Sequence, residues 1–200
     1  MSTVELTLTI GIFAAIMAFT LTAITSAWTS ASGVDRRLQD LAEAREIVNN
    51  MSKDLRTAIP LQSGTAPFTP AGGQDFEAEF YANLNPTLGP RLVRLYVDGS
   101  NRMVQEITDP DAGSMAPLYT YTGAPSIRIL GESVANQPTS PVFSYYDGLG
   151  ALLPTPLSPS DSLRVEAVGL TVTIDSSANT AVKPTTVVNR VRLANVIYGS

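Results

Sequence analysis

The beginning of the chain is dominated by an apolar stretch without a single charged side chain. This stretch runs from Leu6 to Val34, and no proline interrupts it. It exceeds the ~20 residues that an α-helix needs to cross the hydrocarbon core of a bilayer. Because a helix satisfies its own backbone hydrogen bonds in lipid, we expect residues 1–34 to form a transmembrane helix.

The helical pattern continues beyond this stretch as an amphipathic segment, residues 35–59. Its apolar stripe, with heptad spacing, consists of Val34, Leu41, Ala44, Val48, Met51, Leu55 and Ala58. Because the residue before a proline disfavours the helical conformation, we expect the helix to end at residue 59, before Pro60. The amphipathic segment is predicted to pack on a folded head. The predicted contact residues are Leu41, Val48, Met51 and Leu55.

The rest of the chain, residues 60–200, lacks helical periodicity and is predicted to form a β-rich globular head. Residues 60–74 are rich in proline and glycine and are predicted to form a loop. Asp98-Gly99-Ser100-Asn101 is typical of a β-hairpin turn. Strands are predicted at 76–81, 92–97, 103–107, 127–130, 142–146, 163–174 and 187–197. The predicted fold class is α+β, a long N-terminal α-helix packed on an antiparallel β-sheet head with long loops.

The composition argues against most catalytic and metal-binding chemistry. The chain has no cysteine and no histidine, so it lacks thiolate nucleophiles, the commonest general base and the commonest transition-metal ligand. The formal net charge of -5 argues against nucleic acid as a partner, since phosphate binding needs a basic patch. Asp109 and Asp111 are weak candidates for calcium ligands, although acidic turns without an ion are commoner. We therefore expect no enzymatic activity, no metal and no cofactor.

Glu5 is the most informative residue of the apolar segment. A carboxylate at the edge of a membrane span is costly and suggests a functional partner. The alternative is that Glu5 lies at the headgroup level or interacts with the positive end of the helix dipole. Arg36 and Arg37 follow the span and no basic side chain precedes it, which by itself places the head in the cytoplasm. A removed basic leader would reverse that orientation and make Met1 the first residue of a processed chain.

Met1-Ser2-Thr3-Val4-Glu5-Leu6, followed by an unbroken apolar helix, resembles the mature start of type IV pilins and type II secretion pseudopilins. The resemblance implies cleavage by a prepilin peptidase and methylation of the Met1 amine. It also implies that Glu5 pairs with the N-terminal amine of a neighbouring subunit during assembly. The implied partners are copies of this chain or related pilins in a helical filament, together with assembly machinery. The implied location is the bacterial inner membrane, and then an extracellular filament at the cell surface.

The head extends this resemblance towards the J-type pseudopilins and W-type minor pilins. The residues that carry it lie at 142–148, 163–170 and 191–195, and in the helix at 41–56. Major and minor subunits of a pilus, and a minor pseudopilin at the tip of a type II secretion system, all remain open. An alternative from another class is a single-span membrane protein whose β-domain binds a ligand without polymerising. A short basic leader upstream of Met1 would distinguish the filament subunit from that alternative.

Overall fold

The computed structural model describes residues 2–62, 64–84, 89–176 and 183–194. Its helices and strands, in chain order, are α1 (Thr3–Arg56), β1 (Phe68–Gly73), β2 (Glu77–Ala82), β3 (Arg91–Val97), β4 (Met103–Thr108), β5 (Ser126–Gly131), β6 (Phe143–Tyr146), β7 (Leu152–Leu153), α2 (Pro159–Ser162), β8 (Ala167–Ile174) and β9 (Thr185–Arg192). The chain divides into two compact units, residues 1–39 and 40–200, so that the division falls within α1. The predicted α+β class, a long N-terminal helix packed against antiparallel sheets, is confirmed.

The head contains two antiparallel sheets where the sequence pattern predicts one. The first is a five-stranded meander in the order β1-β2-β3-β4-β5, and the second has four strands in the order β7-β6-β8-β9. The predicted hairpin around residues 98–101 is confirmed, because β3 pairs with β4 from Leu92–Thr108 to Val97–Met103. Asp98 closes its turn by accepting the backbone N–H groups of Ser100 and Arg102, both at 2.9 Å.

The helix ends earlier than the proline predicts. It stops at Arg56 rather than at residue 59. The reason is tertiary, since the backbone of the following residues pairs with β2. Ala58 forms an isolated antiparallel bridge with Ala82, and the Ile59 N–H donates to the Tyr81 carbonyl at 2.8 Å. A backbone engaged with a sheet cannot also complete another helical turn.

The prediction that residues 60–74 form a loop is wrong for β1. Its glycines are required by close approach to neighbours rather than by a turn. A Cβ on Gly72 would lie 2.1 Å from the Glu79 carbonyl oxygen, and one on Gly73 would lie 2.5 Å from Leu157 Cδ1. The register between β1 and β2 also shifts in this strand, as in a β-bulge. Proline and glycine therefore mark a bulged edge strand here, which composition alone cannot distinguish from a loop.

The other strand predictions are largely confirmed, with shifted boundaries. The segment 163–174 becomes a strand only from Ala167 onwards. The segment 187–197 corresponds to β9, and its last residues, 195–197, lie outside the described residues. The short strand β7 and the four-residue helix α2 are not predicted, because two to four residues carry too little periodicity.

One core joins the two sheets and the last four turns of α1. The inner side of the first sheet contributes Ala78, Phe80, Val93 and Leu95, and the second contributes Phe143, Tyr145, Val168, Leu170 and Val172. The helix contributes Ala44, Ile47, Val48, Met51 and Leu55. Phe68 contacts the Tyr145 ring edge-on at 5.4 Å between centroids, which links the first strand of one sheet to the other sheet. The head is thus one hydrophobic unit.

The predicted helix contacts differ in burial. Val48, Met51 and Leu55 are buried in this core, whereas Leu41 is only half-buried. Val34, the first residue of the proposed stripe, is exposed. Ile47, which the heptad stripe omits, is fully buried and touches the position of Gly131 at the end of β5. The contact surface is therefore wider than an a/d stripe, as is usual for a helix that packs on a globular core.

Polar contacts accompany this packing along the same helix. They join Asp40 to Ser176, Glu43 to the Glu132 N–H, Ser52 to Asn189, and Asp54 to Gln105. Burying the Asp54 carboxylate costs free energy, because the residue is almost completely removed from solvent. Burial raises the pKa of Asp54 to about 6, although the hydrogen bond from Gln105 and the charges of Lys53 and Arg128 act in the opposite direction.

We expect Leu55→Ala to lower the free energy of unfolding by about 2–5 kcal/mol, because it leaves a cavity in a closed core. Leu41→Ala removes the same atoms from a half-buried position and should cost about 1 kcal/mol or less. Urea unfolding of the full chain in detergent, followed by the near-ultraviolet circular dichroism of the tyrosines, measures both. Equal losses in the two variants would contradict the observed packing.

Asp54→Asn should stabilise the head at neutral pH. The folded pKa of about 6 exceeds the ordinary value of 3.8, so folding favours the protonated carboxyl. Ionisation of Asp54 therefore costs stability above pH 6, and this cost disappears as the pH falls below 4. The expected gain at pH 8 is about 3 kcal/mol, with a flatter stability profile between pH 4 and 7.

Asp98→Asn is the matched control for Asp54→Asn. The hydrogen bond from Arg102 lowers the pKa of the Asp98 carboxyl, and Asp98 is half-buried in the hairpin turn. Its ionised form therefore favours folding, and the variant should be less stable at neutral pH. Unfolding curves measured from pH 4 to pH 8 decide both cases. A loss of stability at pH 8 in Asp54→Asn would refute this account of the buried carboxylate.

Candidate functional site

The surface of α1 from residue 3 to residue 34 is apolar and exposed around its circumference. Every described residue from Ser2 to Ser32 is exposed, including Phe19 at 79% and Trp28 at 75%. By length and composition, α1 is the one helix among the described residues that could cross a membrane. A helix that is apolar on all sides requires either lipid or other protein around it.

Most hydroxyl groups of this segment donate to carbonyl groups of the same helix. Thr9 donates to the Glu5 carbonyl at 2.7 Å, and Thr20 donates to the Ile16 carbonyl at 2.8 Å. The same bonding to carbonyls three or four residues earlier is made by Thr7, Thr22, Thr25, Thr29 and Ser32. The many threonines therefore add few unsatisfied donors to the surface, and the segment remains compatible with an apolar surrounding.

One face of the segment carries only small side chains, although other small residues such as Thr9, Thr20 and Ala27 lie elsewhere on the helix. Successive helix residues are rotated by about 100°, which places small residues within one arc from Thr7 to Gly33. The arc contains Thr7, Gly11, Ala14, Ala15, Ala18, Thr22, Thr25, Thr29, Ser32 and Gly33. Large side chains such as Phe13, Met17 and Trp28 project from the rest of the circumference. This face allows a second helix to approach closely, as small residues do in membrane helix pairs.

Glu5 takes part in the N-terminal cap of its own helix. Its Oε2 accepts the Ser2 backbone N–H at 3.0 Å, while Ser2 Oγ accepts the Val4 N–H at 3.4 Å. The Ser-x-x-Glu spacing is that of a capping box, in which the N-cap and N3 residues satisfy backbone donors. This local role is absent from the sequence-based predictions, although the spacing of Ser2 and Glu5 is the signal for it.

The cap leaves Glu5 able to take a second partner. The carboxylate uses Oε2 for the cap, and no described residue donates to Oε1. A carboxylate has room for several donors, so an ammonium group could approach the exposed side of Glu5 without breaking the cap. The other predicted assembly residue, Met1, lies outside the described residues.

The two weak calcium candidates are engaged in other contacts. Asp109 pairs with Arg91 Nε at 2.6 Å. Asp111 accepts the Thr122 N–H and hydroxyl at 2.9 and 3.0 Å, and hydrogen bonds from Thr120 and then Thr122 lower the pKa of its carboxyl. These contacts shape the long β4–β5 connection. Among the described residues, there is no group of three or more His, Cys, Asp or Glu side chains placed to hold a metal ion.

The head also has an apolar hollow that the sequence does not predict. Its volume is about 440 Å3, and Leu61, Phe68, Pro70, Pro117 and Leu163 contribute to its walls. It lies where the connections before β1, after β4 and around α2 meet. Among the described residues, no Asp, Glu, Lys or Arg side chain lines it, so the hollow offers mainly shape and apolar surface.

Comparison of the chain with models of known protein families, with curated proteins and with solved structures found no match. The resemblance of the first six residues to pilins therefore stays a hypothesis about family. The architecture, a long apolar N-terminal helix with antiparallel sheets, is the coarser feature that the structure and the resemblance share.

Proposed function

We propose that this protein is a structural subunit of an extracellular filament of the type IV pilus class. The observation that carries the proposal is the fully exposed apolar segment of α1 with Glu5 at its start. Lipid can surround this segment before assembly, and the same segments of other subunits can surround it afterwards. A single apolar helix then serves first as membrane anchor and later as filament core.

The small-residue face of α1 supports assembly over anchoring alone. A helix that only anchors a domain needs apolar length, and its small residues need no common face. Here one arc of the helix from Thr7 to Gly33 carries only small side chains, although other small residues lie outside it. Close helix approach gains van der Waals contact, which is a main source of helix association where no hydrophobic driving force exists.

Glu5 would contribute to assembly through its negative charge. The N-terminal ammonium of one subunit and the Glu5 carboxylate of its neighbour are each costly to bury alone. As a pair they compensate one another, and removing one partner of a buried pair typically costs about 3–5 kcal/mol. The geometry supports this pairing because the cap occupies one oxygen of Glu5 and leaves the other exposed.

The proposal includes the processing and location that the pilin resemblance implies. A prepilin peptidase would remove a basic leader, which reconciles the Arg36 and Arg37 flank with a head outside the cytoplasm. The Met1 amine would be methylated, and assembly machinery of the inner membrane would add subunits to the filament. Mass spectrometry of the N-terminal peptide from native cells tests this part, with a methylated Met1 as the expected result.

One observation favours a second candidate, a membrane-anchored domain that binds a small apolar ligand without polymerising. This observation is the apolar hollow of about 440 Å3 beside β1. Electron microscopy of material sheared from cells that produce the full chain separates the two candidates. Filaments labelled by an antibody against the head support the filament subunit, and their absence from cells with abundant protein supports the second candidate.

Two substitutions of Glu5 separate its cap from its charge. Glu5→Gln keeps an oxygen that can accept the Ser2 N–H, but it removes the negative charge, whereas Glu5→Ala removes both. If Glu5 pairs with a neighbouring ammonium, both variants should reduce filament yield by about a hundredfold or more, while the protein still inserts into the membrane. Quantification of sheared filaments against membrane-bound protein gives this ratio.

The same two variants also give a clear result if Glu5 does not pair by charge. If Glu5 serves only as a helix cap, Glu5→Gln should assemble like the unmodified protein and only Glu5→Ala should be impaired. Normal yield from Glu5→Gln would therefore refute charge pairing. Thr9→Val serves as a control for a polar change one turn further along α1, because it removes a hydroxyl that bonds only to the Glu5 carbonyl.

A further inference from the structure

The outer face of the four-stranded sheet carries a cluster of exposed basic and apolar side chains. Alternation along β9 places Val188, Arg190 and Arg192 on the side of the sheet that faces away from the core, and all three are exposed. Tyr146 and Leu152, which pair across β6 and β7, lie on the same side. We call this surface the arginine face: Tyr146, Leu152, Val188, Arg190 and Arg192.

The arginine face is preorganised. The Arg190 guanidinium lies 3.8 Å from the centre of the Tyr146 ring, and a Cβ on Gly169 would come within 3.0 Å of that ring. Glycine at this position thus lets the aromatic ring lie flat on the sheet. Arg192 pairs at 3.3 Å with Glu166, but its side chain remains 83% exposed. Rigid aromatic and arginine side chains with neighbouring apolar groups are typical of protein interfaces.

The outer face of the five-stranded sheet has the opposite charge. Cross-strand register places Glu79 beside Arg94, Arg94 beside Glu106, and Glu106 beside Ile127. Glu77 lies on the same side and binds Arg94 at 2.8 Å. We call this surface the glutamate face: Glu77, Glu79, Arg94, Glu106, Ile127 and Ile129.

The glutamate face combines excess negative charge with exposed apolar side chains. It has three carboxylates against one guanidinium, whereas the arginine face and its bound Glu166 have two guanidinium groups against one carboxylate. Ile127 is 63% exposed and Ile129 45%, while Val188 and Leu152 on the other face are 69% and 66% exposed. Each face therefore offers exposed aliphatic groups beside charges of opposite sign, which is the complementarity that protein interfaces use.

We infer that the arginine face of one subunit docks on the glutamate face of a second copy of this chain. The inference rests on the proposed filament function and names the head contact within it. Both sheets turn their inner sides to one core, so these outer faces are different surfaces of the same head. A contact between two different surfaces is heterologous and leaves one of each free at the ends, so it can repeat without closing a dimer.

Cysteine cross-linking tests this contact directly, because the natural chain has no cysteine. Val188→Cys and Ile127→Cys introduced into one full-length chain should give a ladder of trimers and larger species in membranes after oxidation. Mixing the two single variants should give cross-linked dimers only. Ala112→Cys combined with Val188→Cys is the matched control, since Ala112 is exposed but lies in the β4–β5 connection. This pair should give less than about a tenth of the ladder.

Charge reversal tests whether the opposite charges of the two faces contribute to this contact. Arg190→Glu with Arg192→Glu, added to the Val188→Cys and Ile127→Cys chain, should reduce the ladder by about tenfold or more. Arg45→Glu with Lys183→Glu makes the same change in net charge at exposed positions outside the arginine face and should leave the ladder intact. Head unfolding curves for both charge variants establish that a lost ladder reflects a lost contact.

The possible outcomes distinguish failure of this head contact from failure of the proposed filament function. Filaments that form normally while the paired cysteines yield no ladder would overturn the contact and leave the filament intact. Dimers of equal yield from a single-cysteine variant alone would also overturn it, because they indicate a symmetric contact. Failure of the unmodified chain to form filaments under any condition would instead count against the proposed function. A ladder in the paired variant that charge reversal abolishes supports the contact.

Discussion

The head depends on the burial of one face of α1 between residues 40 and 56. Two sheets of five and four strands each need a partner for their inner sides, and each buries part of that side against this helix. Fully buried residues such as Ile47, Met51 and Leu55 belong to the core that the two sheets share. Since an antiparallel sheet with one bare apolar face is unstable in water, the helix is an internal part of the head.

The polar contacts along the same helix restrict how it can sit. Asp40, Ser52 and Asp54 are buried, and each has a hydrogen-bond partner on the sheets or on the residues that flank them. Burying these groups costs free energy that apolar side chains would not, and the raised pKa of Asp54 reports that cost. A helix shifted by one turn would leave the groups unpaired in the core, so the contacts specify register more than they add stability.

In the N-terminal segment of α1, the apolar side chains are exposed instead of buried. Between Thr3 and Val34 the helix has mostly apolar side chains, hydroxyls that mostly bond to its own carbonyls, and no buried residue. Such a surface is stable only in lipid or against similar helices, and its small-residue arc allows a second helix to approach closely. Glu5 is the one charge of this segment. The capping bond to Ser2 shows that its first role is local, and any role in assembly must be compatible with that bond.

Several features follow from the residues in sequence alone. The uncharged run from Leu6 to Val34 is long enough to predict the apolar helix, and alternation predicts β2, β3 and β4 with their hairpin turn. The Ser2 and Glu5 spacing holds the information for the cap as well. These are local properties, since helix length, strand alternation and capping depend on residues only a few positions apart.

Other features depend on contacts between distant residues, and only the tertiary structure decides them. The helix ends at Arg56 because Ala58 pairs with Ala82, and Gly72 belongs to a strand because the Glu79 carbonyl lies against it. The division of the strands into two sheets follows from the same kind of pairing. Register also builds the glutamate face, because it brings Glu106 of β4 beside Arg94 and the glutamates of β2, whereas the two arginines of β9 share a face by alternation within that strand. Sequence spacing carries no record of such register.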